Sequence, residues 1–98
     1  MPQWNTLECP ELEKDAHAVY ILECSDSSYY VGSSGNLKVR IQDHNRGKAA
    51  LWTAARIPLR LIYFEIFGSA VDAKRREAQI KKWSRSKKEN LISGVWKQ

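Results

Sequence analysis

Two short runs of β-branched and aromatic residues, separated by a cluster of short polar ones, constrain this chain more than any other feature. Ala18 to Glu23 (Ala-Val-Tyr-Ile-Leu-Glu) has strand composition and is short enough for a buried strand. Ser25-Asp26-Ser27-Ser28 is turn chemistry, because short polar side chains bond their own backbone. Tyr29 to Ser33 resumes strand character, so the segment predicts a β-hairpin. Side chains alternate between the faces of a strand, so Tyr20 and Tyr30 share a face only if paired residue numbers sum to an even value. A four-residue loop closing Cys24 on Tyr29 would separate them. An odd-length loop or a bulge would unite them, and the even register is expected.

The rest of the chain alternates helix and strand signals. Gly35-Asn36 reads as a helix start with Asn36 as N-cap, and Asn45 to Gly47 as its exit. Between them Leu37, Arg40, Ile41 and His44 recur at helical spacing and share one face. Arg40 can lay its stem on the core and His44 can cap the helix end, or both can serve a site. Gly47 to Pro58 reads as a basic loop carrying Lys48, Trp52, Thr53 and Arg56. Arg60 to Phe67 is the clearest strand, apolar on both faces as a central strand should be. Ser69-Ala70-Val71-Asp72 resembles a capping box, and a helix continues through Ala73, Glu77, Ile80 and Trp83. Ala70, Ala73, Glu77 and Ile80 fall within an arc of about 80°, so Glu77 interrupts the stripe that faces the protein. A carboxylate there needs a cation, a donor or a cleft. An arginine partner and a metal ion both answer that need. The run Lys81 to Lys88 (Lys-Lys-Trp-Ser-Arg-Ser-Lys-Lys) follows, with Ser84 or Ser86 able to start a last helix through Ile92.

Ninety-eight residues suit one domain. Residues 1–16 form an acidic, irregular lead-in, 17–92 the core and 93–98 a tail. No stretch approaches the roughly 20 apolar residues that span a bilayer, and the N-terminus lacks a secretory pattern, so the cytoplasm is expected. Cys9 and Cys24 lack the neighbouring ligands of a zinc site and are expected reduced, with Cys24 a small apolar residue at a strand end. The charge is lopsided. Residues 1–36 carry one base and six acids, net −5, while residues 37–98 carry fifteen bases and five acids, net +10. The later two-thirds therefore suits a polyanionic partner. Lys48, Arg56, Lys81, Lys82, Arg85, Lys87 and Lys88 are the expected phosphate-binding cations, although solvated helix faces have the same composition.

Ala18-Val19-Tyr20, Tyr30-Val31-Gly32, Arg40, His44 and Glu77, in this order and spacing, resemble the signature of the GIY-YIG nuclease superfamily. Asn36 to Asn45, Pro58 to Glu65 and Arg75 to Lys88 extend the likeness over about residues 17–92, closest to small stand-alone members. The resemblance implies an α/β chain of the α+β type, with a three-stranded sheet (hairpin plus third strand) flanked by about three helices. It implies an endonuclease hydrolysing phosphodiesters with one Mg2+ or Mn2+ ion per site, acting on nucleic acid, DNA foremost, with repair or recombination as a setting. Glu77 matches the metal-binding glutamate and Arg40 the phosphate-binding arginine. Tyr20 and Tyr30 match the tyrosines that position or activate water, His44 matches a supporting polar residue, and Asn90 stands where many members carry a further asparagine. Ala18 and Val31 depart from the motif's glycine and isoleucine without removing a reacting group. A non-catalytic nucleic-acid-binding module, or a subunit relying on a protein partner for targeting, is the alternative.

Overall fold

The computed structural model describes residues 3–94. Its elements run β1 (His17–Glu23), β2 (Tyr29–Ser34), α1 (Leu37–Asn45), α2 (Leu51–Ala54), β3 (Arg60–Phe67), α3 (Ala70–Lys81) and α4 (Arg85–Ser93). The fold is α+β, with an antiparallel sheet in the order β2-β1-β3. Most of the expected tail, residues 95–98, lies outside the described residues.

The hairpin has the even register. Tyr20 pairs with Gly32, Leu22 with Tyr30 and Glu23 with Tyr29. The turn produces it. The Ser27 amide donates to the Cys24 carbonyl at 2.9 Å, and Ser27 then takes a left-handed conformation, φ 69°. A four-residue turn that ends on a left-handed residue, with the Cys24 amide donating to the Ser28 carbonyl at 2.9 Å, closes a loop of odd length, residues 25–27. Asp26 Oδ1 accepts from the Ser28 amide at 3.0 Å, the self-bonding expected of this cluster.

β1 is the central strand, which corrects the expectation for Arg60–Phe67. Ala18 to Leu22 are fully buried, whereas Ile66 on β3 is half exposed. β3 looks central in sequence because its first half is covered on both faces. A bulge opposite Ile21 and Leu22 turns Ile62 and Tyr63 toward one core cluster, while Leu61 joins the other. The lead-in covers part of the free edge of β3, with the Leu7 amide donating to the Leu61 carbonyl at 2.8 Å. Trp4 anchors it, donating from Nε1 to the Tyr29 hydroxyl at 2.8 Å and accepting from Arg60 through its carbonyl.

Alternation along β1 separates two cores. Val19 and Ile21 meet Val31, Ile62, Ala73, Ile80 and Leu91, so α3 and α4 cover that face. Ala18, Tyr20 and Leu22 meet Leu37, Leu59 and Leu61, so α1 covers the other. Caps agree with the sequence. Asn36, Ser69 and Ser84 each accept from the amide three residues on, and Gly94 ends α4 at φ 79°. The segment expected as a basic loop contains α2, a fourth helix, formed because Thr53 is buried against α1. Both cysteines are free, and Cys24 is buried immediately after β1. Among the described residues no helix is long and apolar enough to cross a membrane.

Candidate active site

The residues singled out in sequence converge on a cleft of about 190 Å3 lined by Tyr20, Tyr30, Gly32, Arg40, His44 and Glu77, together with Ser33, Ala49 and Lys74. It wraps the free edge of β2. Tyr20 and Tyr30 project from the α1 side of the sheet, their rings 6.4 Å apart. Glu77 arrives from α3 on the opposite side and meets Ser33, whose hydroxyl donates to Glu77 Oε1 at 2.5 Å. The five expected catalytic residues thus do not surround one face of the sheet. They meet around an edge strand, where no further strand blocks the approach. Gly32 makes the meeting possible, since a Cβ there would stand 2.5 Å from the Tyr20 hydroxyl.

His44 is the hub on the α1 side. It is 1 % exposed, and its Nε2 lies 3.0 Å from the Tyr20 hydroxyl and its Nδ1 3.0 Å from Thr53 Oγ1. Thr53 Oγ1 donates its single proton to the Ala50 carbonyl at 3.1 Å. It therefore receives from His44 Nδ1–H, which leaves Nε2 of the neutral ring as an acceptor for the Tyr20 proton. Burial lowers the His44 pKa and Arg40 lowers it further, against a smaller opposing effect of Asp43, so the ring is neutral near pH 7. Burial drives the Tyr20 pKa well above the ordinary phenol value, with Tyr30 adding to the rise and Arg40 opposing it. Tyr20 is accordingly a protonated donor. Tyr30 packs edge-on against His44, ring centroids 4.8 Å apart.

Glu77 is buried among cations. Lys81 Nζ lies 2.8 Å from Oε2 and Lys74 Nζ 3.5 Å from Oε1. Burial alone would raise its pKa, but the Lys81 and Ser33 hydrogen bonds, with both lysine charges, outweigh it and hold the carboxyl below the usual glutamate range. The partners are lysines and a serine where an arginine was one expectation. An ionised carboxylate at a cleft, already drawing two cations, suits a hard divalent cation, and a single protein carboxylate matches the way Mg2+ keeps most of its waters. Among the described residues no group of three or more His, Cys, Asp and Glu side chains could hold a metal. Glu77 is the one carboxylate among the residues that line this cleft.

Other expected site residues disperse. Lys48 is exposed on the loop after α1. Arg56 lies over the Trp52 ring at 4.0 Å and pairs with Asp26 at 3.2 Å. The basic run does not form one phosphate-facing row. Lys81 serves Glu77, Arg85 pairs with Glu89 at 3.3 Å and lies over Tyr29, Lys87 lies over Trp83, and Lys88 is half-buried, while Lys82 is exposed. Burial and Arg85 lower the Lys88 pKa. Asn90, on α4, does not line the cleft. The sequence did not single out Thr53 and Ser33 for a site, and no local pattern marks either. Their roles exist only through partners 9 and 44 positions away.

The sequence matches the GIY-YIG catalytic domain over residues 16–90. The chain belongs to the GIY-YIG family. It is 42 % identical over 78 residues to a UPF0213 protein of Staphylococcus aureus strain Mu3, spanning 80 % of this chain and 95 % of the relative. UPF0213 protein SA0446 of strain N315 matches to the same extent. Two solution NMR structures share the fold. UPF0213 protein BH0048 from Bacillus halodurans is 45 % identical with a TM-score of 0.53, over 80 % of this chain and 83 % of its own. EF2693 from E. faecalis is 32 % identical with a TM-score of 0.62, over 91 % and 94 %. Family membership places the chain in a nuclease superfamily, with nucleic acid as the substrate class.

Proposed function

We propose that this GIY-YIG domain is a divalent-metal-dependent endonuclease that hydrolyses phosphodiester bonds in DNA. The observation that carries the reading is the ordered relay from Tyr20 through His44 to Thr53, opening on a cleft shared with Arg40 and Glu77. The Tyr20 proton is too tightly held to leave unaided, so a neutral His44 Nε2 at 3.0 Å is the group that can take it. As that transfer proceeds, the Tyr20 oxygen accepts a proton from a water attacking phosphorus. The water O–H bond breaks, a P–O bond forms, and the opposite P–O bond of the strand breaks, its oxygen gaining a proton from solvent. Arg40 offers a guanidinium to the phosphate, where negative charge accumulates. A divalent ion held by Glu77 would supply Lewis-acid stabilisation of that charge. Tyr30, wedged against both Tyr20 and His44, fixes their rings.

The alternative is a nucleic-acid-binding module without hydrolysis. It is favoured by the pairing of Glu77 with two lysines, which satisfies the carboxylate with no metal. One experiment separates the two. Linear, flapped and branched DNA are incubated with Mg2+ or Mn2+ and wild-type chain, Glu77→Ala or Arg40→Ala. Cleavage by wild type, lost in both variants while binding persists, supports the nuclease. Binding that falls steeply with salt and ignores Glu77→Ala, with no cleavage by wild type, refutes it.

A further inference from the structure

The nuclease reading leaves one apolar feature beside the cleft unused. Leu51, the first residue of α2, is 93 % exposed, and Trp52 next to it is 42 % exposed. A single exposed leucine is ordinary, but this pair sits at a functional rim. Ala49, two residues before Leu51, lines the cleft, and Thr53, two residues after it, holds the catalytic histidine. Trp52 stacks on Tyr30 with ring centroids 6.1 Å apart and carries the Arg56 guanidinium, itself tied to Asp26 and to the Trp52 carbonyl. The tip is therefore braced against the site's own tyrosine on one side and the hairpin turn on the other. The stretch that carries it is positive. No acidic residue occurs from 44 to 64, Arg40 lines the cleft, and Arg46 and Lys48 are exposed in the chain between α1 and Leu51.

The geometry points to Leu51, braced by Trp52, as a wedge that enters the base stack of a nucleic acid seated in the cleft. Apolar side chains inserted between bases must unstack them, and the cost is least where the base is already unpaired. Arg40 in the cleft and the exposed cations of the neighbouring stretch of chain hold the backbone while the wedge enters. The inference rests on the nuclease reading of the cleft and narrows its substrate to nucleic acid with an unpaired or easily unstacked base beside the cleaved phosphate.

The test uses single-stranded, nicked and fully paired DNA with 2-aminopurine at successive positions, titrated with the full chain in EDTA so that no cleavage is needed. Wild type is expected to brighten 2-aminopurine at one position and to bind unpaired sites more tightly than paired ones. Leu51→Ala loses the signal and weakens binding by roughly fivefold or more, at the lower end of what one base contact contributes. Its thermal melt is unchanged, and Leu51→Phe restores the signal. If no position responds, or Leu51→Ala behaves as wild type, the wedge is refuted, and cleavage by wild type in Mg2+ would still uphold the nuclease. A 2-aminopurine response without cleavage upholds the wedge and removes the nuclease. Sizing of wild type and Leu51→Ala without DNA completes the test, because a dimer that Leu51→Ala dissolves makes the tip an interface between copies and overturns the proposal.

Discussion

Replacing Thr53 with valine should reverse the hydrogen bond on which the proposed chemistry depends. Valine keeps the shape but removes the hydroxyl oxygen that faces His44 Nδ1–H at 3.0 Å. A buried donor left unsatisfied costs about 1–3 kcal/mol. In a domain of this size that lowers the melting temperature by roughly 4–24 °C. The ring can escape part of this cost by moving its proton to Nε2, which then donates to Tyr20 and can no longer accept from it. Loss of a positioned base typically removes about 10²–10⁴ of rate. Single-turnover cleavage under saturating protein should therefore fall by at least about a hundredfold, with DNA affinity nearly unchanged. Long-range 1H–15N correlation of the imidazole nitrogens reads the tautomer directly, with the proton on Nδ1 in wild type and on Nε2 in Thr53→Val. Thr53→Ser restores hydroxyl, tautomer and rate. A wild-type His44 protonated on Nε2, or a Thr53→Val variant with unaltered melt and rate, would refute the reasoning.

Gly32→Ala places a methyl 2.5 Å from the buried Tyr20 hydroxyl, so the ring must leave the His44 hydrogen bond. Overpacking of this kind costs about 1–3 kcal/mol, measurable by denaturant melts, and cleavage should be lost even where the fold survives. The acid limb of the pH–rate profile should reflect His44. Its folded pKa lies below the ordinary 6.5, so activity should persist below pH 6.5 and disappear only as pH falls through the lowered value. Stability follows the same sign, since below pH 6.5 the unfolded chain protonates this histidine first and folding weakens as pH drops. An acid limb centred above pH 6.5 counts against His44 as the proton acceptor. Glu77 adds a second loss at lower pH, because its depressed pKa stabilises the fold above the ordinary glutamate value and that contribution fades as pH falls through the folded one. Glu77→Gln should flatten the lower-pH part of a pH series of thermal melts.

Helix and strand periods were sufficient for much of this fold. β-branched and aromatic composition in Ala18–Glu23 and Tyr29–Ser33, with a short polar cluster between them, predicts the hairpin. The 3.6-residue spacing puts Leu37, Ile41 and His44 inward and makes Glu77 the anomaly in its stripe. These are local properties, and the structure keeps them because turn chemistry and burial agree. The mistaken centrality of Arg60–Phe67 has a physical origin too. Apolar composition on both faces reports that both faces are covered, and the lead-in plus a bulge can do that at a sheet edge.

By itself, then, the sequence determined the family's residue types, their order and which helix face the helical ones share, while the shared strand face of Tyr20 and Tyr30 was an expectation that the turn geometry met. Those follow from dihedral periodicity and side-chain chemistry within a dozen residues. Only the tertiary structure decided that Glu77 reaches the tyrosines around β2, that two lysines and Ser33 hold it, and that Thr53 sets the direction of the His44 hydrogen bond. Each of these depends on which free edge and which partners the folded chain brings together across long separations. No local period encodes that.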